Sequence, residues 1–188
     1  MLPKIDEILK IATSPIFLSI SAFAILIMYI LISNSNFLDI RKVFKDYLSI
    51  FKDAKKHLFV FWGVPILLAI AVVQVTDVAG KSADSIIVFL SILISAFFAT
   101  LSILISKQTD QSSELYKQVL KETASLVLLE IVLCIVALII SMMLAIINVE
   151  IPHLFLIILN FFDYYLMFVM MINLLILIKR MKSLIDNA

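Results

Sequence analysis

Two carboxylic acids, Glu130 and Asp163, stand inside long apolar runs of the sequence. A carboxyl group in the bilayer interior costs at least about 2.5–3.5 kcal/mol on the insertion scale for Asp, so such a side chain faces protein or water. No Lys, Arg or His lies in the interior of either run to pair with them. At 1.5 Å rise per residue their depths differ by roughly 12 Å, too far for direct contact. Two chemistries fit. In one, each acid is held by neighbouring hydroxyls and amides, with Asn160, Asp163, Tyr164 and Met167 on one helical face. In the other, the acids mark a proton or cation path.

Small residues form a second pattern. Ser91, Ser95, Ala99, Ser102 and Ser106 recur three or four positions apart, one narrow stripe of a helix. Thr123, Glu130, Cys134, Ala137, Ser141, Ala145 and Asn148 occupy a sector of about 80° on another. Lipid is as apolar as Leu, so membrane helices gain most where small residues allow close approach and hydrogen bonds. The two stripes are expected to form a tight core or an oligomer seam, with a water-lined pore as the alternative.

Other chemistry is missing from the sequence. It has no HExxH, GxSxG, CxxC or GxxxxGK[ST] motif, and Gly63 and Gly80 are its only glycines, so no Gly-rich phosphate loop exists. Cys134 is the single cysteine, which excludes an intrachain disulfide. His57 and His153 fall on opposite sides of the membrane in the topology below. Neither an enzyme nor a bound cofactor or metal is expected.

These residues need elements to carry them. The 188 residues are 63% hydrophobic with a mean hydropathy of +1.15, against roughly 45–50% apolar for globular proteins. The expectation is an all-α, polytopic membrane bundle forming one domain over 1–188. Apolar segments cover about 15–33, 58–77, 84–106, 123–148 and 153–178, each with the ~18 or more residues that a crossing needs. Five spans are expected, with four as the alternative. Lipid offers no backbone partners, so all should be helices. The first run, at about 18 residues, exceeds the ~7–15 of a signal peptide and is read as a retained span.

Of the fifteen Lys and Arg residues, twelve fall in 34–57, 107–122 and the C-terminal tail, and three elsewhere. That asymmetry places the basic side in the cytoplasm and the N-terminus outside. The outer connections 78–83 and 149–152 are short, so helices 2 and 3, and 4 and 5, are expected to be antiparallel hairpins. The helix carrying Glu130 should run unbroken from about 114 to 147, capped by Ser112 or Ser113.

Residues 37–58 form an amphipathic helix. Phe37, Ile40, Phe44, Tyr47, Leu48, Phe51 and Leu58 lie on its apolar face, and Arg41, Lys42, Lys45, Lys52, Lys55 and Lys56 on the others. It can rest on anionic headgroups of the inner leaflet or serve as a docking face for a cytoplasmic partner.

The order SPIFLSIS, KKHLFVFWGVPILLAI, SIIVFLSILISAFFATLSILIS, LYKQVLKETASLVLLEIVLC and LLILIKRMKSLI resembles small multi-span proteins of bacterial anti-phage defence loci, the Kiwa membrane subunits among them. Four spans are usual in that family, and the fifth segment here departs from it. The resemblance implies a homo-oligomer, such as a tetramer, in the bacterial inner membrane that senses phage at the envelope. It also implies a cytoplasmic effector that binds nucleic acid, so the membrane subunit itself need not. Expected partners are thus the lipid bilayer, further copies of the chain and that effector. A small ion channel or transporter using Glu130 and Asp163 is the alternative function.

Overall fold

The computed structural model describes residues 40–49, 55–75, 81–106, 114–146 and 153–186, with scattered positions between 17 and 28. Every described segment is helical apart from the turn at Gln74 and Val75. Chain packing divides the protein into Met1–Arg41 and Lys42–Ala188. In the first unit the described positions are helical, and the Ser21 hydroxyl donates to the Leu18 carbonyl at 2.9 Å. The expected span 15–33 lies largely outside the described residues.

The helices are α1 (Ile40–Ser49), α2 (Lys55–Val73), α3 (Lys81–Ser106), α4 (Glu114–Ile146) and α5 (His153–Asp186). Three of them are long and apolar enough to cross a membrane, over Ala83–Ser106, Tyr116–Ala145 and Leu154–Ile185. This is a helical membrane protein. Over the expected span 58–77 the described helix is α2, Lys55–Val73, with its apolar part over Phe59–Val73, and residues 76–80 lie outside the described residues. Pro65 lies inside α2 and is buried, withdrawing one backbone donor from the helix. Of the expected amphipathic stretch 37–58, residues 37–39 and 50–54 lie outside the described residues. Ile40–Ser49 forms α1, whereas Lys55–Leu58 opens α2 and is continuous with the apolar helix.

α4 is the central element, packed by α3 on one side and α5 on another, and α5 in turn packs α2. Helix 4 with helix 5 is therefore a packed hairpin. The expected pairing of the preceding two helices is overturned, because α2 makes its extensive contact with α5 rather than with its sequence neighbour α3. A short connection fixes where a helix starts, not which neighbour its side chains fit.

The packing period is 3.5 residues. On α4, Tyr116, Leu120, Thr123, Val127, Glu130, Cys134, Ala137, Ser141 and Leu144 alternate steps of four and three, and all are buried. On α3 the buried line is Ala83, Leu90, Phe97 and Leu104; on α5 it is Asp163, Met170, Leu177 and Leu184. Such spacing keeps a seam aligned only between helices that wind left-handedly around each other. Away from these seams, Phe59, Leu67, Val88, Ile92, Leu175 and Ile178 are exposed, an apolar exterior suited to lipid.

Candidate functional site

Along the α4–α5 seam the polar residues pair as rungs. Arg180 Nη1 contacts Glu122 Oε2 at 2.7 Å. The Asn173 amide donates to Glu130 Oε1 at 2.6 Å. The Cys134 thiol lies 3.1 Å from the Met170 sulfur. The Ser141 hydroxyl straddles the Asp163 carboxyl, 2.9 Å from one oxygen and 2.8 Å from the other. Partner numbers on α5 fall as those on α4 rise, the register of antiparallel neighbours.

The Glu130 rung continues out of the seam. Asn173 Oδ1 accepts from the Tyr47 hydroxyl of α1 at 3.1 Å, and the same hydroxyl accepts from the Trp62 indole of α2 at 3.2 Å. One directional chain, Trp62 to Tyr47 to Asn173 to Glu130, joins four helices. Glu130, Asn173 and Tyr47 are all fully buried. Burial pushes the Tyr47 phenol up to about 12, so it stays protonated and keeps donating. Phe44 stands edge-on to Trp62 at 5.9 Å and Trp62 packs on Tyr165 at 6.5 Å, fixing the ring positions around this hub.

Depth follows from register. Asn173 lies five residues before Ile178, the last apolar residue ahead of Lys179 and Arg180. That is about 8 Å inside the end of the apolar run.

Two buried oxygens lack hydrogen-bond partners among the described residues: Glu130 Oε2 and Asn160 Oδ1. Leaving such a group unmatched costs about 1–3 kcal/mol. Among the described residues no three His, Cys, Asp or Glu side chains gather as a metal site would require.

The sequence pattern found some of these residues and missed others. Glu130 and Asp163 do not touch, as their separation demanded. The network expected around Asp163 from Asn160, Tyr164 and Met167 does not form; Ser141 of α4 holds the carboxyl instead. Asn173, which bonds Glu130, and Tyr47, which bonds Asn173, were missed as partners. Asn173 was within reach of a 3.5-residue count, since 163, 166, 170 and 173 follow one seam. Tyr47 had no signal beyond its place on an apolar face.

The two small-residue stripes have different surroundings. Glu130, Cys134 and Ser141 are buried in the seam with α5, Thr123 and Ala137 are buried too, Ala145 is half-buried, and Asn148 lies outside the described residues. Ser91, Ser95, Ala99, Ser102 and Ser106 are exposed on α3, some 100–180° from its buried line. Their hydroxyls turn back on their own helix, to the carbonyls of Ile87, Ser91, Phe98 and Ile103 at 2.8–3.0 Å. The stripes therefore do not meet within one chain. Of the basic residues, Lys42 and Lys45 are exposed on α1, Arg41 belongs to α1, Lys55 and Lys56 open α2, and Lys52 lies outside the described residues.

Comparison with protein-family models, with curated proteins and with solved structures finds no match.

Proposed function

We propose that this chain is a non-enzymatic inner-membrane subunit that transmits a change within the bilayer to a cytoplasmic effector, in the anti-phage setting its sequence resembles. The observation that carries the reading is the hydrogen-bond chain from Tyr47 through Asn173 to Glu130. It ties α1, the basic amphipathic helix, to an acid inside the membrane helices. A shift of α4 against α5 breaks the Asn173–Glu130 bond and frees the atoms that hold Tyr47. Perturbation of the envelope by phage is then felt as loosening of α1, whose Lys42 and Lys45 face outward. The outward serine stripe of α3 supplies the seam between copies. The basic side is cytoplasmic and the N-terminus periplasmic.

Replacing Lys52, Lys55 and Lys56 with Gln tests the reading. The effector should dissociate while membrane insertion and oligomer size stay normal, and phage plating should rise to that of cells without the protein. Retention of the effector at wild-type levels sinks the docking role.

A second reading, a proton or cation path, is favoured by the unpartnered oxygens of Glu130 and Asn160. Liposome conductance that vanishes in Glu130→Gln would replace the first reading with this one.

A further inference from the structure

A groove of about 540 Å³ opens beside the Tyr47 hub. Phe44 and Leu48 of α1 form one wall, and Phe59, Trp62, Gly63 and Ile66 of α2 the other, with Tyr165 of α5 at its base. The volume falls within the ~300–1,000 Å³ of small-molecule sites. We infer that this groove holds an acyl chain of one anionic phospholipid, with the lipid phosphate at the lysine-bearing end. The inference goes beyond the proposed function and holds whether or not an effector docks.

Three observations select that occupant. The first is the shape of the wall. A Cβ built on Gly63 would meet only the Phe59 ring, at 3.9 Å. Glycine inside a helix is less stable than alanine, and no tight contact demands it here. Its missing side chain leaves the middle of the groove open. From Phe59 to Ile66 the groove runs about 10 Å along α2 toward the bilayer interior.

The second is charge. Lys45 is exposed on α1, next in sequence to Phe44. Lys55 and Lys56 occupy the first turn of α2, one turn ahead of Phe59. Among the described residues no acidic side chain lines the groove, and Asp46 lies about 200° around α1 from Phe44. Lysine positions next to the Phe44 and Phe59 end of an apolar trough match a lipid phosphate above its chain.

The third is access. Phe59 and Leu67 are 81% and 69% exposed, so the outer face of α2 is the apolar exterior that lipid covers. A chain from the bilayer enters without any partner having to fold or dock. Trp62, with an apolar ring and an indole N–H that donates to the Tyr47 hydroxyl, suits a wall that is apolar toward the chain and hydrogen-bonded behind it.

Trp62 is the only tryptophan of the protein, so its fluorescence reports on the groove directly. The full chain is reconstituted in phosphatidylcholine vesicles with equal small fractions of brominated phosphatidylglycerol or brominated phosphatidylcholine. Brominated chains quench the indole on contact. Brominated phosphatidylglycerol should quench more strongly. Replacing Lys45, Lys55 and Lys56 with Gln should weaken that preference by roughly fivefold in affinity per lysine. Gly63→Leu should abolish it by filling the trough, while Gly63→Ala, whose methyl fits at 3.9 Å, should retain it. Equal quenching by the two lipids in the wild-type protein overturns the inference, and that comparison needs no variant. So does a preference that survives Gly63→Leu. Absence of quenching by either lipid overturns it too, and assigns the groove to protein, a second copy or a partner helix.

Discussion

The amide of Asn173 donates to the carboxyl of Glu130 at 2.6 Å, across 43 positions of sequence and between two antiparallel membrane helices. The same amide group accepts the Tyr47 hydroxyl on its other side. Asn173 is thus the joint between the acid of α4 and the amphipathic helix α1.

Removing that joint should be costly. Asn173→Ala leaves Glu130 and Tyr47 facing each other across a gap. In a double-mutant cycle with Glu130→Gln, the coupling should reach about 1–2 kcal/mol, at the upper end of hydrogen bonds between membrane helices. Unfolding in mixed micelles by SDS reads the four stabilities. Coupling near zero would mean the contact is incidental.

Tyr47 gives a pH dependence whose sign is fixed. Its phenol rises from 10.0 to about 12 in the folded protein, through burial above all. The proton is held more tightly when folded, so the stabilisation is complete below pH 10 and is lost as pH climbs toward about 12. Two units correspond to about 3 kcal/mol. Tyr47→Phe should remove this alkaline loss, because no phenol remains to ionise. It also unpairs the Trp62 N–H and Asn173 Oδ1, so α1 should be cut by trypsin faster at neutral pH. Tyr47→Phe with an unchanged alkaline transition and unchanged cleavage would exclude the hub.

The exposed stripe on α3 separates assembly from folding. Ser95→Leu with Ser102→Leu should reduce oligomer size on native gels while leaving the monomer's unfolding transition in place, since both residues point out of the chain. Thr100 is half-buried on the other side of the helix. Thr100→Leu should lower monomer stability, by the roughly 1–3 kcal/mol of overpacking, with oligomer size kept. Identical behaviour of the two variants would show that the stripe faces only lipid.

Topology can be read with an impermeant thiol reagent once Cys134 is replaced. In intact spheroplasts Lys4→Cys should label and Ser35→Cys should not, as the twelve-to-three distribution of basic residues requires. The opposite pattern inverts every assignment of inside and outside made above.

Much of the α4 helix was legible beforehand. Its expected extent of about 114–147 matches Glu114–Ile146, because an apolar run with no Gly or Pro offers nothing to stop a helix in lipid. Its small face was legible too, since a face is a property of one helix. The length of α2 was not: hydropathy counts Val75 and Val73 alike, while the helix ends at Val73 and a turn follows. The pairing of α2 was not either, because its surface is apolar on most sides and periodicity singles out no partner.

By itself the sequence determined that the chain is helical, that it lives in a membrane and which side of α4 is small and polar. Those follow from hydropathy and from the absence of backbone partners in lipid, and each depends on residues close in sequence. Tertiary structure decided that α2 packs on α5, that the serines of α3 face outward, and that Glu130 meets Asn173 and Asp163 meets Ser141. It also brought Tyr47 to Asn173 across 126 positions. Such contacts depend on helix order and on supercoiling, which shifts the buried line by ~20° per heptad and so moves the meeting residues beyond the reach of one-turn patterns.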